Sequence, residues 1–130
     1  MRLKHYLYYW MPVIIYMGLI YYFSSLKEPS LIIEKSLELK FIIPSAFKHF
    51  IEFIPLGFLF FRAFNNEKNL KIKRNALWLA VVFAGLYGIS DEFHQSFVPG
   101  RVMDGIDIIA DAAGGSVFSI VRYLKNGHGL

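Results

Sequence analysis

Residues 7–26 form a run of twenty without a single charged side chain. At 1.5 Å per residue a helix of that length reaches about 30 Å, the thickness of a bilayer's hydrocarbon core. Arg2, Lys4 and His5 precede the run, as they would at the start of a secretory signal. The apolar stretch is too long for a signal core, however, and no small-x-small cleavage site follows it. The run is therefore expected to be a retained membrane span.

The rest of the chain keeps this character. Hydrophobic residues make up 55% of its 130 positions and charged residues only 18%, against about a quarter charged in ordinary soluble domains. The length fits one domain. The net charge of +4 does not mark a nucleic-acid binder, because the basic residues lie between hydrophobic runs and not on a polar domain. There is no cysteine. That removes disulfides, thiolate nucleophiles and cysteine-zinc sites.

Three further apolar segments fall near residues 47–64, 75–97 and 104–124, each with charge near one end. The expected fold is all-α, with four transmembrane helices in a single domain. Pro55 lies inside the second segment, where a bilayer helix tolerates it if neighbours satisfy the freed Ile51 carbonyl. Residues 27–46 alternate apolar and charged side chains, and read either as a short amphipathic piece on the membrane surface or as an ordered loop. Orientation follows from the lysines and arginines. Arg2, Lys4, Arg62, Lys68, Lys71, Lys73, Arg74, Arg122 and Lys125 fall on one side, and Lys27, Lys35, Lys40, Lys48 and Arg101 on the other. Both termini are expected in the cytoplasm, with residues 62–74 as the strongest signal.

Four spans carry a consequence of parity. Polar residues end the first helix (Ser24, Ser25), begin the second (Lys48, His49, Glu52), end the third (Asp91 to Gln95) and begin the fourth (Asp104 to Asp111). Successive helices run in opposite directions, so all four clusters meet on one side of the membrane, here the outer one. Helical phase adds to this. Lys48, His49 and Glu52 share an arc of about 100°, and Asp104, Asp107 and Asp111 a stripe about 10 Å long. A carboxylate as deep as Asp111 must face the bundle interior, take a proton or meet a cation. Lys48 and Arg101 are the nearest candidates. Gly85, Gly88, Gly114 and Gly115 let helices approach closely around these stripes.

Val98-Pro99-Gly100-Arg101 suits a type II turn, with Gly100 at positive φ, and Asp104 is placed to cap the last helix. The string Asp91-Glu92-Phe93-His94-Gln95-Ser96-Phe97-Val98-Pro99-Gly100-Arg101, followed by Asp104, Asp107, Asp111 and Gly114-Gly115, resembles the VanZ-like family. Lys48-His49-Phe50 with Glu52 and Leu56-Gly57, and Phe23-Ser24-Ser25, are similar to it as well. The resemblance covers nearly the whole chain. It implies a small polytopic protein of the bacterial cytoplasmic membrane, linked to resistance to teicoplanin, a lipid-bearing glycopeptide antibiotic. It implies no agreed reaction.

The residues themselves leave several functions open. An outward-facing pocket for an anionic envelope lipid or lipid-linked wall precursor would use Arg101 and Lys48 on phosphate, lined by Gln95, Asp104, Asp107 and Asp111. His94 or His49 would serve as acid or base, with Asp91 or Glu52 orienting it and Glu92 a further catalytic candidate; no nucleophile stands out, so whether a reaction occurs is open. The pairs His49/Glu52 and Asp91/His94 have the spacing of metal ligands, but with no cysteine and no HExxH string no metal is assigned and the cofactor is left undefined. A proton path through Asp104, Asp107 and Asp111 lacks the midplane site and repeats of a transporter. The alternative is a non-catalytic scaffold, whose charges form a structural ion network. The expected partners are membrane lipids, a wall precursor or the lipoglycopeptide; oligomeric state is open.

Overall fold

The computed structural model describes residues 2–26 and 45–125. Within them every regular element is a helix, in the order α1 (Arg2–Ser24), α2 (Ser45–Asn65), α3 (Leu70–Arg74), α4 (Ala76–Gln95) and α5 (Gly105–Lys125). The amphipathic segment expected over residues 27–46 lies outside the described residues, except for Ser45 and Ala46, which open α2. The four long helices coincide with the four apolar segments. α1 starts earlier than the uncharged run, taking in the basic residues before it, and α2 runs on through Pro55.

The short α3 is an addition within the basic 68–74 stretch. Asn69 makes it: its side-chain oxygen accepts from the Lys71 N–H at 2.9 Å and the Ile72 N–H at 3.4 Å, two donors that a helix start leaves unpaired. Asn75 then separates α3 from α4, its side-chain amide donating to the Lys71 carbonyl at 2.8 Å.

α2 packs most extensively on α5, and α4 lies against both; α1 joins through α2 and touches α4 less. Glycines set the α2–α5 distance. A methyl on Gly57 would strike the Gly115 carbonyl, and one on Gly114 the Phe50 carbonyl. Both obstacles are backbone, so the two helices touch main chain to main chain, as small residues permit in membrane bundles.

Each central helix buries one stripe at three- and four-residue spacing. On α2 it is His49, Phe53, Leu56, Gly57, Phe60, Ala63 and Phe64. On α4 it is Ala76, Ala80, Ala84, Gly88, Asp91, Glu92 and Gln95. On α5 it is Asp107, Asp111, Gly114, Gly115 and Ser119. Every stripe is apolar or small over most of its length and polar at one end. Because α4 runs opposite to α2 and α5, the three polar ends coincide. Val13 and Ile20 of α1 close the apolar part.

The outside of the bundle is also apolar. Ile14, Ile15, Trp78, Leu86, Ile109 and Ile120 are all exposed, Trp78 and Ile109 each at 69%. Single exposed apolar residues are ordinary, but a surface of them is not. Among the described residues two helices, Leu3–Ser24 and Ala76–Gln95, are long and apolar enough to cross a membrane. α2 and α5 have 21 residues each, but carry charge at both ends.

Candidate functional site

The polar end is organised around one imidazole. His49 sits in the second turn of α2, facing α5. Its Nδ1 lies 2.9 Å from Asp111 Oδ1. Its Nε2 lies 3.6 Å from both Glu92 Oε1 and Asp107 Oδ2. So three carboxylates from two helices bracket the ring, within ion-pair range when it is protonated. All are buried, Glu92 and Asp111 completely, at 0% exposure.

Local sequence explains how each acid is held. Asp111 fits because α4 offers no side chain opposite it: a methyl on Gly88 would stand 2.6 Å from Asp111 Cβ. Asp107 accepts the Ser45 hydroxyl at 2.7 Å. Glu92 reaches across to the start of α5, where its Oε2 accepts the Asp104 N–H at 3.1 Å. Asp104 itself is spent on capping: its Oδ1 accepts the Ile106 N–H at 2.8 Å, and its side chain is exposed.

Asp91 and Arg101 are joined indirectly. Gln95 donates through Nε2 to Asp91 Oδ2 at 2.8 Å, and its Oε1 accepts from the Arg101 guanidinium at 2.6 Å. Only this orientation of the amide serves both partners. The hairpin that carries Arg101 has the expected form, with Gly100 at φ +87° and the Arg101 N–H on the Val98 carbonyl at 3.1 Å. Arg101 is half-buried at the edge of the acidic group, while Lys48, next to His49 in sequence, is exposed. Glu52, one turn along α2 from His49, is half-buried and within charge range of His49, Asp91 and Asp111.

His94 belongs to a different neighbourhood. Its ring stacks on Tyr21 of α1, with centroids 4.1 Å apart, and its Nε2 lies 2.9 Å from Ser25 Oγ. The Ser25 hydroxyl has one proton, which goes to the Tyr21 carbonyl at 2.7 Å. His94 Nε2 is then the donor to Ser25. Of the two candidate histidines, only His49 is gathered with the carboxylates.

Three of those carboxylates share a pattern. Asp91, Glu92 and Asp111 each have one oxygen bonded within the protein, to Gln95, the Asp104 N–H and His49. The other oxygen of each, Asp91 Oδ1, Glu92 Oε1 and Asp111 Oδ2, is buried with no hydrogen-bond donor among the described residues. Buried polar atoms are paired in the great majority of cases, and a desolvated carboxylate oxygen is among the costliest to leave alone. With His49, these residues offer four donor atoms that all lie within 4.8 Å of one another.

Ser45 joins the site without having been singled out, and Tyr21, likewise not singled out, holds His94 together with Ser25 of the polar end of α1. Ser45 was legible in principle, since it lies one turn before His49 on the same face of α2. The Tyr21–His94 stack has no such local signal. At the opposite end of the bundle Trp10 Nε1 donates to Glu67 Oε1 at 2.7 Å, beside a shallow groove lined by Tyr6, Phe64 and Ile72, and Arg62 lies over Tyr8 and Tyr9.

Residues 5–126 match the VanZ/LLP1 family model. No curated protein matches the chain, and no solved structure matches it.

Proposed function

The chain belongs to the VanZ/LLP1 family, and from that premise we propose that it is a four-span membrane protein whose polar end acts on an anionic lipid headgroup or lipid-linked wall precursor. The link to teicoplanin resistance comes with the family. Two helices already satisfy length and apolarity. α2 and α5 match them in length, and their charges are turned inward or lie at their ends, which is where a bilayer helix keeps them.

The observation that carries the reading is the burial of His49 with Asp107, Glu92 and Asp111 at one end of an otherwise apolar bundle. Charge kept at such a place is costly and marks a functional site. Arg101 at the edge and the exposed Lys48 suit the approach of phosphate, Arg101 by paired hydrogen bonds. His49 is the candidate acid or base, with Asp111 fixing its ring. His94 positions α1 against α4. Lysine and arginine placement puts both termini in the cytoplasm and the polar end outside.

The test is the teicoplanin susceptibility of cells expressing the wild type, His49→Ala or Arg101→Ala, at matched membrane abundance. Both variants are expected to lose the protection given by the wild type. Full protection by both would overturn the reading and leave the ion network as a structural device.

A further inference from the structure

We propose that His49, Asp91, Glu92 and Asp111 form a binding site for a divalent transition-metal ion. The argument stands on three oxygens that accept no hydrogen bond, Glu92 Oε1 having only the 3.6 Å approach of His49 Nε2. Asp91 Oδ1, Glu92 Oε1 and Asp111 Oδ2 are buried without a donor among the described residues, in side chains no more than 3% exposed. Each sister oxygen is anchored, by Gln95, by the Asp104 N–H and by His49 respectively. Supporting bonds of this kind orient ligands around a metal while leaving one atom of each to point at it.

Geometry and charge agree with this. The four donors come from α2, α4 and α5 and lie within 4.8 Å of one another. Ligands on opposite sides of an ion bonded at about 2.0–2.2 Å stand roughly 4.0–4.4 Å apart, so one ion reaches all four after small shifts. Three carboxylates and a neutral imidazole make a mixed oxygen and nitrogen set. The imidazole favours zinc over calcium, and the three carboxylates also suit manganese. A dication also removes most of the repulsion among the acids, none of which has a hydrogen bond from Arg101 among the described residues, since its guanidinium donates to Gln95.

Bound through Nε2, with Nδ1 on Asp111, His49 would hold the ion and not move a proton. The ion would then replace the acid or base role given to that residue above and change what the pocket can hold. A ring of acids repels phosphate, whereas a bound dication with an open position attracts it. That role rests on the lipid reading above; the metal site does not.

The test uses the full chain, purified in detergent without metal-affinity resin, stripped with chelator and then equilibrated with Zn²⁺ or Mn²⁺. Elemental mass spectrometry should find about one ion per chain, the count a single site would hold. The ion should also raise the melting temperature, since it binds only the folded state. Glu92→Gln and Asp111→Asn should each weaken binding at least about 10-fold, the scale of loss known for disturbed metal sites. Glu67→Gln, at the far end, should not. A folded wild type that holds no ion and does not shift in melting temperature overturns the site, whatever the variants do. So does equal loss in Glu67→Gln. Metal bound without any metal-dependent retention of phosphate-bearing lipid would sustain the site and remove the lipid reading alone.

Discussion

His49 Nδ1 lies 2.9 Å from Asp111 Oδ1, although 62 residues separate the two in sequence. The contact exists because Gly57 and Gly114 bring α2 and α5 together at backbone distance, and because Gly88 leaves room for the carboxylate. Removing one member of a buried pair leaves the other desolvated and alone, at a cost of about 3–5 kcal/mol. His49→Ala is expected to destabilise the chain on that scale. The measurement is a thermal or denaturant melt in detergent, with no metal added; a loss under about 1 kcal/mol, the scale of an exposed pair, would mean the contact contributes little.

The glycines make a sharper contrast. Gly114→Ala places a methyl on the Phe50 carbonyl, so the two helix backbones must shift apart. Overpacking of this sort costs about 1–3 kcal/mol or more. Gly18, on α1, has nothing within 4 Å, so Gly18→Ala should be neutral or stabilise by about 0.5–1 kcal/mol through helix propensity. Melts of the two variants side by side decide it. Equal effects would mean that α2 and α5 are not in backbone contact.

Among the described residues Gln95 is the bridge from Arg101 to Asp91. Gln95→Leu keeps roughly the volume and removes both bonds, leaving a buried carboxylate oxygen unsatisfied at a cost of about 1–3 kcal/mol. Hydrogen exchange should also speed up at the Arg101 N–H, whose turn loses its anchor. Unchanged exchange would show that Gly100 and Pro99 hold the hairpin without help.

The absence of native cysteine gives the four-span reading a direct test. Val102 is 86% exposed beside Arg101, and Lys71 is exposed on α3 at the other end of the bundle. In intact cells a membrane-impermeant maleimide should label Val102→Cys and leave Lys71→Cys unlabelled until the cells are lysed. The opposite pattern would invert the topology. Labelling of both would exclude an intervening bilayer.

Much of this architecture is local and so could be read from the sequence. Pro99-Gly100 specifies its turn, because proline fixes one φ and glycine supplies the positive one. Asp104 caps α5 through its own short side chain. The four apolar segments mark the four long helices, and alternation of helix direction alone sends the polar ends of α2, α4 and α5 to one place. α3 escaped notice because a single capping Asn69 produced it within a basic stretch.

The sequence by itself determined which residues have helical neighbours and which end of each helix is polar. It supplied the acids and both histidines as equal candidates. Only the tertiary structure shows which histidine stands among the carboxylates. Rotation of a helix about its own axis is set by what packs on either side, and α4 is turned so that Asp91 and Glu92 join α2 and α5 while His94 stacks on Tyr21. The same packing brought the Ser45 hydroxyl to Asp107 and left one oxygen on each of three acids without a donor among the described residues. Spacing along one chain cannot show that, because whether a buried oxygen has a partner depends on helices remote in sequence.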